Sequence, residues 1–314
     1  MINVFIDGAA GTTGLKIHEY FSKRDDINIL NIEEENRKSI ERRAELIEQA
    51  DVSFLCLPDA ASKEIAQHVS AGSRIIDTST AHRTDDAWVY GFPELCKGQK
   101  ELIKNSNRVA NPGCHATGAI SIIRPLIESG LAGDDYPFAI TSLTGYSGGG
   151  KKMIADYENP ERSVLLDSPA QYGIAQVHKH IPEIMKMTGV KYQPTFMPIV
   201  ADYFSGMEVS VPILGSYIKG ADQMAGGAKA AVTEMFKDFY SGSTMIEVVD
   251  SIAEGGLIYS NAMAKSNKLK IAIDGTDDNI LITALFDNLG KGASGAAVQN
   301  MNIMMGIEES KGLL

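Results

Sequence analysis

Ile2–Asp7 is a short apolar run, and Gly8-Ala9-Ala10-Gly11-Thr12-Thr13-Gly14 follows it without a spacer. Leu15–Phe21 then has helical spacing. A buried strand, a glycine turn and a helix in immediate succession leave few folds open, because the helix must double back over the strand that precedes it. The unit also repeats. Ile27–Ile32, Val52–Leu57 and Ser73–Asp77 read as further strands, with helices over Ser39–Gln49 and Ala60–Val69. Strand–helix alternation of this kind predicts an α/β domain with a doubly wound parallel sheet. In such a sheet the first glycine turn is where a dinucleotide pyrophosphate rests on helix amides. The spacing is GxxGxxG rather than GxGxxG, and a plain tight turn is the competing interpretation. Its place between the first strand and helix favours the nucleotide loop. Gly8, Ala10, Gly11, Thr12, Thr13 and Gly14 are therefore candidate cofactor residues.

The second strand bears on which dinucleotide. Glu33–Glu35 precede Asn36-Arg37-Lys38. An acidic residue at this point suits a ribose hydroxyl, whereas a basic pair suits a 2′-phosphate. Arg37 and Lys38 favour NADPH, Arg37 ahead of Lys38. Leu57-Pro58-Asp59 falls at the carboxyl end of a strand, on the ligand edge of such a sheet. Asp77-Thr78-Ser79-Thr80-Ala81-His82-Arg83 starts at the end of the next strand. Ser79 and Arg83 there suit a phosphate or carboxylate, though a capped polar loop explains the same residues.

Charge and length exclude several classes. The chain has 314 residues, enough for two domains, and a formal net charge of −11. That balance opposes a broad nucleic-acid or anionic-membrane surface. No run approaches the length of a membrane-spanning helix, and no secretory leader is visible. Cys56, Cys96 and Cys114 are widely spaced and form no CxxC, which fits a reducing cytoplasm. Cys56 lies inside an apolar run and reads as core; Cys96 borders a lysine-rich surface segment.

Cys114 is different. It ends Asn111-Pro112-Gly113-Cys114, where a short apolar segment stops at a Pro-Gly pair and a helix begins. A thiol at a helix N-terminus is stabilised as thiolate, and the local amides can hold an oxyanion; a buried structural cysteine is the alternative. Beyond it the pattern changes. Strands are expected at Phe138–Leu143, Pro194–Val200, Met207–Ile213, Leu269–Asp274 and Asn279–Asp287, with helices near 182–187 and 222–238. These predict an α+β domain on a mostly antiparallel sheet, with a boundary near 112. Ala293–Gly306 is apolar and helical and is expected to return to the first domain. Thr144–Lys152 is glycine-rich but lacks the GxxxxGK[ST] pattern, so a gate or a substrate-phosphate loop is the expectation there. His178-Lys179-His180-Ile181-Pro182-Glu183 offers alternate histidines. With six histidines in the chain and no evident third and fourth ligand, a base acting on a distant thiol fits better than a metal site, and no metal is expected.

Taken together, Gly8–Gly14, Asp77–Arg83, Gly91–Leu95, Asn111–Cys114, Gly145–Lys151, His178–Glu183 and Lys291–Gly306 resemble the N-acetyl-gamma-glutamyl-phosphate reductases, in their shorter form, within the aspartate-semialdehyde dehydrogenase superfamily. The resemblance spans nearly the whole chain, and Asn-Pro-Gly-Cys and His-Lys-His-Ile-Pro-Glu are its specific motifs. It implies a Rossmann domain over 1–112, to which a C-terminal helix within 293–314 returns, and a catalytic, substrate and dimerisation domain over 113–292. It also implies NADPH-dependent reduction of an acyl phosphate in arginine biosynthesis, by a homodimer or homotetramer. Cys114 takes the nucleophile's place, and His178 that of the acid/base, with His180 as the alternative. Pro58, Ser79 and Asn300 fall to the cofactor, and Arg83, Asn111, Ser147, Gly148 and Glu183 to the substrate. One departure is Thr80-Ala81-His82-Arg83, which replaces a more hydrophobic run of the longer form and bears on the role of Arg83. The rival expectations are a reductase of aspartyl or aminoadipyl phosphate, a catalytically silent dinucleotide-binding regulator, and a zinc hydrolase.

Overall fold

The computed structural model describes residues 1–220 and 226–314. The chain divides into two compact units, one of Met1–Gly113 with Ala293–Leu314 and one of Cys114–Gly292.

The first unit alternates β1 (Ile2–Asp7), α1 (Thr12–Phe21), β2 (Ile27–Leu30), α2 (Ile40–Gln49), β3 (Val52–Leu55), α3 (Asp59–Gln67) and β4 (Ile75–Asp77), then β5 (Val89–Tyr90), α4 (Gln99–Lys104) and β6 (Arg108–Ala110). The six strands form one sheet in the order β2-β1-β3-β4-β6-β5. Every pairing in it is parallel. A parallel sheet covered on both faces needs strands apolar on both sides. β3 meets that demand, with Val52, Ser53, Phe54 and Leu55 all buried. Phe5, Leu46, Ile47, Leu55, Ile65 and Ile75 form a core cluster that joins the sheet to α2 and α3. Ser39 caps α2 by accepting the Arg42 amide, so the helix starts where its Ser-x-x-Arg segment leaves the turn.

The second unit opens with α5 (Cys114–Glu128), eleven of whose residues are buried. Then come β7 (Ala139–Gly145), α6 (Gly150–Glu158), β8 (Ala170–Gln171), α7 (His180–Thr188), β9 (Thr195–Ala201), β10 (Met207–Leu214), α8 (Gly227–Phe239), β11 (Ile246–Val249), β12 (Leu269–Gly275) and β13 (Asn279–Phe286). Seven strands form a mixed sheet in the order β11-β12-β13-β10-β7-β9-β8. The β11/β12 and β7/β9 pairs are parallel and the other pairs antiparallel. β7 alternates half-buried and buried residues, so Ile140, Ser142 and Thr144 point inward together. α5 packs on β10 and β13 and also on α7 and α8. Gly118 permits that approach, since a Cβ there would stand 2.4 Å from the Val209 side chain.

The chain then passes through a π-helical turn, Gly290–Ser294, into α9 (Gly295–Met304) of the first unit. All ten residues of α9 are buried, which is the mark of a helix enclosed all round. It lies against α1, α4 and β4. Its polar side chains are spent on the unit itself. Asn302 donates to the carbonyls of Glu309 and Lys311 and accepts from Arg24, which also forks onto Asp26.

The expected α/β unit, the boundary strands and the antiparallel bias of the second sheet correspond to what is observed, with three differences. Thr144–Lys152 is not an open loop: β7 runs to Gly145, a 3-10 turn covers Tyr146–Gly149, and α6 starts at Gly150. The glycines hid the helix, whose polar, lysine-led start lacks an apolar stripe. β5, β8 and β11, of two to four residues, were too short to leave a periodic pattern. The helix expected over 222–238 is observed as α8 from Gly227; its residues 222–225 lie outside the described residues.

Candidate active site

In the first unit the turn after β1 is a cradle made by backbone. Gly8 has φ +84°, and a Cβ there would sit 2.3 Å from the Cys56 carbonyl oxygen. Gly14 faces the same constraint, with a Cβ 2.7 Å from the Gly8 carbonyl oxygen. The Gly11 amide donates to that same oxygen at 2.9 Å, closing the turn. α1 begins at Thr12 with no side-chain cap, so its N-terminal amides are presented by Thr12, Thr13 and Gly14 without competition from a capping group. A cavity of about 200 Å³ adjoins the turn. Gly8, Ala9 and Ala10 line it with His18, Asn31, Arg37 and Leu57. These features fit a dinucleotide: a backbone approach only glycine allows, uncapped helix amides for a pyrophosphate, and a cation where a ribose phosphate would lie. Arg37 is half-exposed and forms an ion pair with Glu34 at 2.8 Å. Lys38, its neighbour, is not among the lining residues. Pro58 precedes α3 as its N-cap residue.

One charged pair here was not anticipated. Asp7, at the end of β1, is buried and meets Arg43 of α2 at 2.7 Å. Burial raises the Asp7 carboxyl above its ordinary range, and Arg43 draws it back only in part. Arg43 lies on the inner face of an amphipathic helix, and its sequence neighbours give no sign of a partner 36 residues away.

The segment after β4 is tightly knit. Asp77 accepts from the Ser62 hydroxyl, the Ser79 amide, the Ser79 hydroxyl and His82 Nδ1, at 2.6–3.1 Å. The His82 ring stacks on Trp88 at 4.0 Å. Arg83 is buried, donating from Nε to the Asn111 carbonyl and from Nη2 to the Thr78 carbonyl. Asn111 donates to the Ala293 carbonyl, and Asn300 donates to both Asn111 Oδ1 and the Gly91 carbonyl. Ser79, Arg83, Asn111 and Asn300 are thus brought into one buried network around the turn that leads to Cys114.

In the second unit Cys114 is the first residue of α5. Behind it, Gly292 of the π-helical turn would place a Cβ 3.0 Å from the Cys114 Cβ, so the thiol's carbon rests on a position without a side chain. Asp287 secures the entry to that turn, accepting from the Leu289 and Gly290 amides, the Ser205 hydroxyl and the Lys265 amide. His115 follows Cys114 and is buried. Its ring centroid lies 5.7 Å from that of His178, 5.2 Å from His180 and 6.0 Å from Tyr172. The His178 and His180 rings are 4.9 Å apart. His178 Nδ1 accepts the His180 amide at 3.3 Å, which seats His178 at the start of α7. Burial, helped by the Lys179 charge, lowers the His178 pKa and favours the neutral ring. Burial pushes His115 down to about 3, with His178 and Lys179 adding to the effect. Glu183 is buried on α7. Ser147 is buried in the 3-10 turn and accepts from Asn288 Nδ2 at 3.0 Å, with Gly148 beside it. Cys56, just after β3, is only partly buried as a residue, while burial of its thiol pushes it up to about 12. Among the described residues, no group of three or more His, Cys, Asp or Glu is arranged to hold a metal ion.

His115, the neighbour of Cys114, therefore meets both histidines of the second motif in one unit, with partners the motifs did not name, Tyr172 and Ser142. His115 stood within the Cys114 motif and was open to notice. Tyr172 lies in a stretch without periodicity and gave no signal.

A parallel-sheet dinucleotide unit followed by a mixed-sheet unit that starts on a cysteine defines a class of nicotinamide-dependent dehydrogenase. Residues 9–104 match the model of the semialdehyde dehydrogenase NAD-binding domain, and residues 114–288 that of the semialdehyde dehydrogenase dimerisation domain. The chain belongs to the N-acetyl-gamma-glutamyl-phosphate reductase family. It is 42% identical over 310 residues to the protein of that name from Brucella ovis, covering 96% of this chain and 98% of the relative. With the Brucella anthropi protein it shares 42% over 312 residues, at the same coverage. The fold is similar to that of a probable aspartate-semialdehyde dehydrogenase from Pseudomonas aeruginosa, at TM-score 0.71 and 17% identity over 97% of this chain and 98% of that one. It is also similar to aspartate semialdehyde dehydrogenase II from Vibrio cholerae, at TM-score 0.68 and 16% identity over the same shares.

Proposed function

We propose that this chain reduces N-acetyl-glutamyl 5-phosphate to N-acetyl-glutamate 5-semialdehyde and phosphate, with NADPH, in arginine biosynthesis. The observation that carries this reading is Cys114 at the first position of α5, in the same unit as a ring cluster of buried His115 and His180 with half-buried His178 and Tyr172. Cys114 attacks the acyl carbon, the carbon–oxygen bond to phosphate breaks, and a thioester remains; one hard displacement becomes two easier steps. The helix N-terminus favours the thiolate, and the local amides hold the oxyanion. Gly8, Ala10, Gly11, Thr12, Thr13 and Gly14 would hold NADPH, with Arg37 toward its 2′-phosphate, and the bound cofactor would supply the hydride that reduces the thioester. Lys38, Pro58, Ser79 and Asn300 shape the same edge of the first unit, the last two by holding its loops.

His178 is the acid/base, with His180 the alternative. Its lowered pKa keeps the ring neutral and able to take the thiol proton, which it returns to the Cys114 sulfur as the hemithioacetal's carbon–sulfur bond breaks and the semialdehyde leaves. Arg83, Asn111, Ser147, Gly148 and Glu183 serve the substrate's anionic groups, Arg83 and Asn111 also by fixing the turn before Cys114. The enzyme works as a homodimer or homotetramer in the cytoplasm; among the described residues no helix is long and apolar enough to cross a membrane.

The test is the reverse reaction. N-acetylglutamate semialdehyde, phosphate and NADP⁺ are expected to yield NADPH, faster than aspartate semialdehyde or the aminoadipate analogue does. Cys114→Ser is expected to lose several orders of magnitude in kcat while still binding NADPH. A preference for either rival semialdehyde, or a Cys114→Ser variant near the wild-type rate, overturns the assignment.

A further inference from the structure

The buried cluster contains a directional hydrogen-bond chain. His115 Nδ1 lies 2.7 Å from the Ser142 hydroxyl, and His115 Nε2 lies 2.6 Å from the Tyr172 hydroxyl. A neutral imidazole carries one N–H, so it donates to one of these oxygens and accepts from the other. The Ser142 hydroxyl decides which. Ser142 is fully buried on β7, and among the described residues its hydroxyl makes no other hydrogen bond. A buried hydroxyl proton without an acceptor is costly, so Ser142 donates to Nδ1. Nε2 then carries the ring proton and donates to the Tyr172 oxygen. The Tyr172 hydroxyl has no second partner among the described residues, so its own proton is unspent. The phenol is also held in place by ring contacts with His115 and His178, and its backbone amide is fixed on the Pro198 carbonyl.

We propose that Tyr172 is a catalytic hydrogen-bond donor to the oxygen on the substrate carbon attached to Cys114 Sγ, and that His115 and Ser142 are positioning residues which keep its proton turned toward that oxygen. This rests on the thioester chemistry proposed above. His115 is the next residue after Cys114 on the first turn of α5, and its Nε2 contacts the phenol directly, so Tyr172 is one side chain removed from the nucleophile's neighbour. The Tyr172 phenol also responds to Cys114: burial raises its pKa, and a negative charge on Cys114 raises it further. A phenol kept protonated is a donor at every pH at which the enzyme works. Negative charge gathers on the substrate oxygen in both the tetrahedral adduct and the hemithioacetal, and a fixed donor there acts without reorganising. The step needs no net proton transfer, only a hydrogen bond that strengthens as charge develops.

The experiment measures semialdehyde oxidation with NADP⁺ and phosphate for wild type, Tyr172→Phe, His115→Asn and the double variant, alongside NADPH affinity and the rate of Cys114 alkylation by iodoacetamide. Tyr172→Phe is near-isosteric, so folding is preserved. The expected result is a fall in kcat of roughly 10²-fold in Tyr172→Phe, the size seen for loss of one oxyanion donor. KM for the semialdehyde, NADPH affinity and the alkylation rate are expected to stay within about threefold of wild type, the scatter allowed for an undamaged site. His115→Asn is expected to lower kcat in a wild-type background and to add almost nothing once Tyr172 is Phe. A Tyr172→Phe variant with wild-type kcat overturns the proposal, as does a His115→Asn penalty of the same size in both backgrounds. A wild-type enzyme inactive with the semialdehyde defeats the assigned function instead, which separates the two failures.

Discussion

The cradle after β1 makes a prediction that differs between glycines of one loop. Gly8→Ala must place a side chain at φ +84° and 2.3 Å from the backbone oxygen of Cys56. The conformation alone costs about 1–2 kcal/mol for a residue with a Cβ. The overlap is with main chain of the loop after β3, which cannot swing aside as a side chain would, and steric overpacking adds about 1–3 kcal/mol. The sum, about 2–5 kcal/mol, is expressed as a displaced loop, as lost stability or as both. If only 1.4 kcal/mol falls on the bound state, NADPH affinity drops about tenfold. Gly11→Ala is the internal control. Gly11 has φ −71°, and its Cβ would come no nearer than 3.4 Å to the Gly8 oxygen and 3.7 Å to the Cys56 oxygen. NADPH fluorescence titration and thermal unfolding of both variants are the assays. Gly8→Ala is expected to bind NADPH at least tenfold more weakly and to melt on the order of 5–15 °C lower. Gly11→Ala is expected to stay within about threefold in affinity, a difference of under 1 kcal/mol. Because Cys114 belongs to the other unit, its alkylation rate is expected to be unchanged in both. Equal behaviour of the two variants refutes the argument that backbone approach, rather than glycine content, makes this loop.

Two further predictions concern single side chains. Arg37→Ala is expected to weaken NADPH by about 10–100-fold, the range of a charge-assisted hydrogen bond, and NADH by little; titration with both cofactors checks it, and an equal loss refutes the 2′-phosphate assignment. For His115 the folded pKa is about 3 against an ordinary 6.5, so the fold holds the neutral ring. Its contribution to stability is complete above about pH 6.5 and falls by up to ~1.4 kcal/mol per unit as pH drops toward 3, because the unfolded chain binds the proton first. His115→Asn is expected to flatten that acid limb between pH 6.5 and 4, read by denaturant unfolding at each pH; an unchanged slope refutes the assignment.

The first unit was legible because its signals are local. A strand, a glycine turn and a helix adjoin in sequence, and each is encoded by its own residues: the apolar run of β1, the turn at Gly8, the Ser39 cap of α2. The parallel, doubly wound sheet follows once the alternation is recognised, though its strand order does not. The C-terminal helix was visible only as an apolar stretch, since a helix buried on every side has no polar face to set its phase. Its fixing to the first unit depends on Asn300 and Asn302, whose partners lie 189 to 209 residues away for Asn300 and include Arg24 for Asn302. No spacing rule connects such pairs.

The same division explains the site. Cys114 could be placed at a helix start because Pro112 and Gly113 announce the break, and the two histidines of His178–Glu183 were conspicuous by composition. What surrounds them was hidden. Ser142 reads as an ordinary strand residue, and it becomes a site residue only because β7 alternates so as to point it inward at the level of His115. Tyr172 comes from an irregular segment between β8 and α7, where no periodicity fixes the direction of a side chain. Arg83 illustrates the opposite difficulty. Its residue type suggests an anion, while the fold uses its Nε and Nη2 on two backbone carbonyls, one of them that of Asn111 in the turn before the nucleophile. A cation buried among carbonyls is held by geometry that sequence does not encode, so removing it disturbs the turn from which Cys114 begins its helix as well as any charge it offers a substrate.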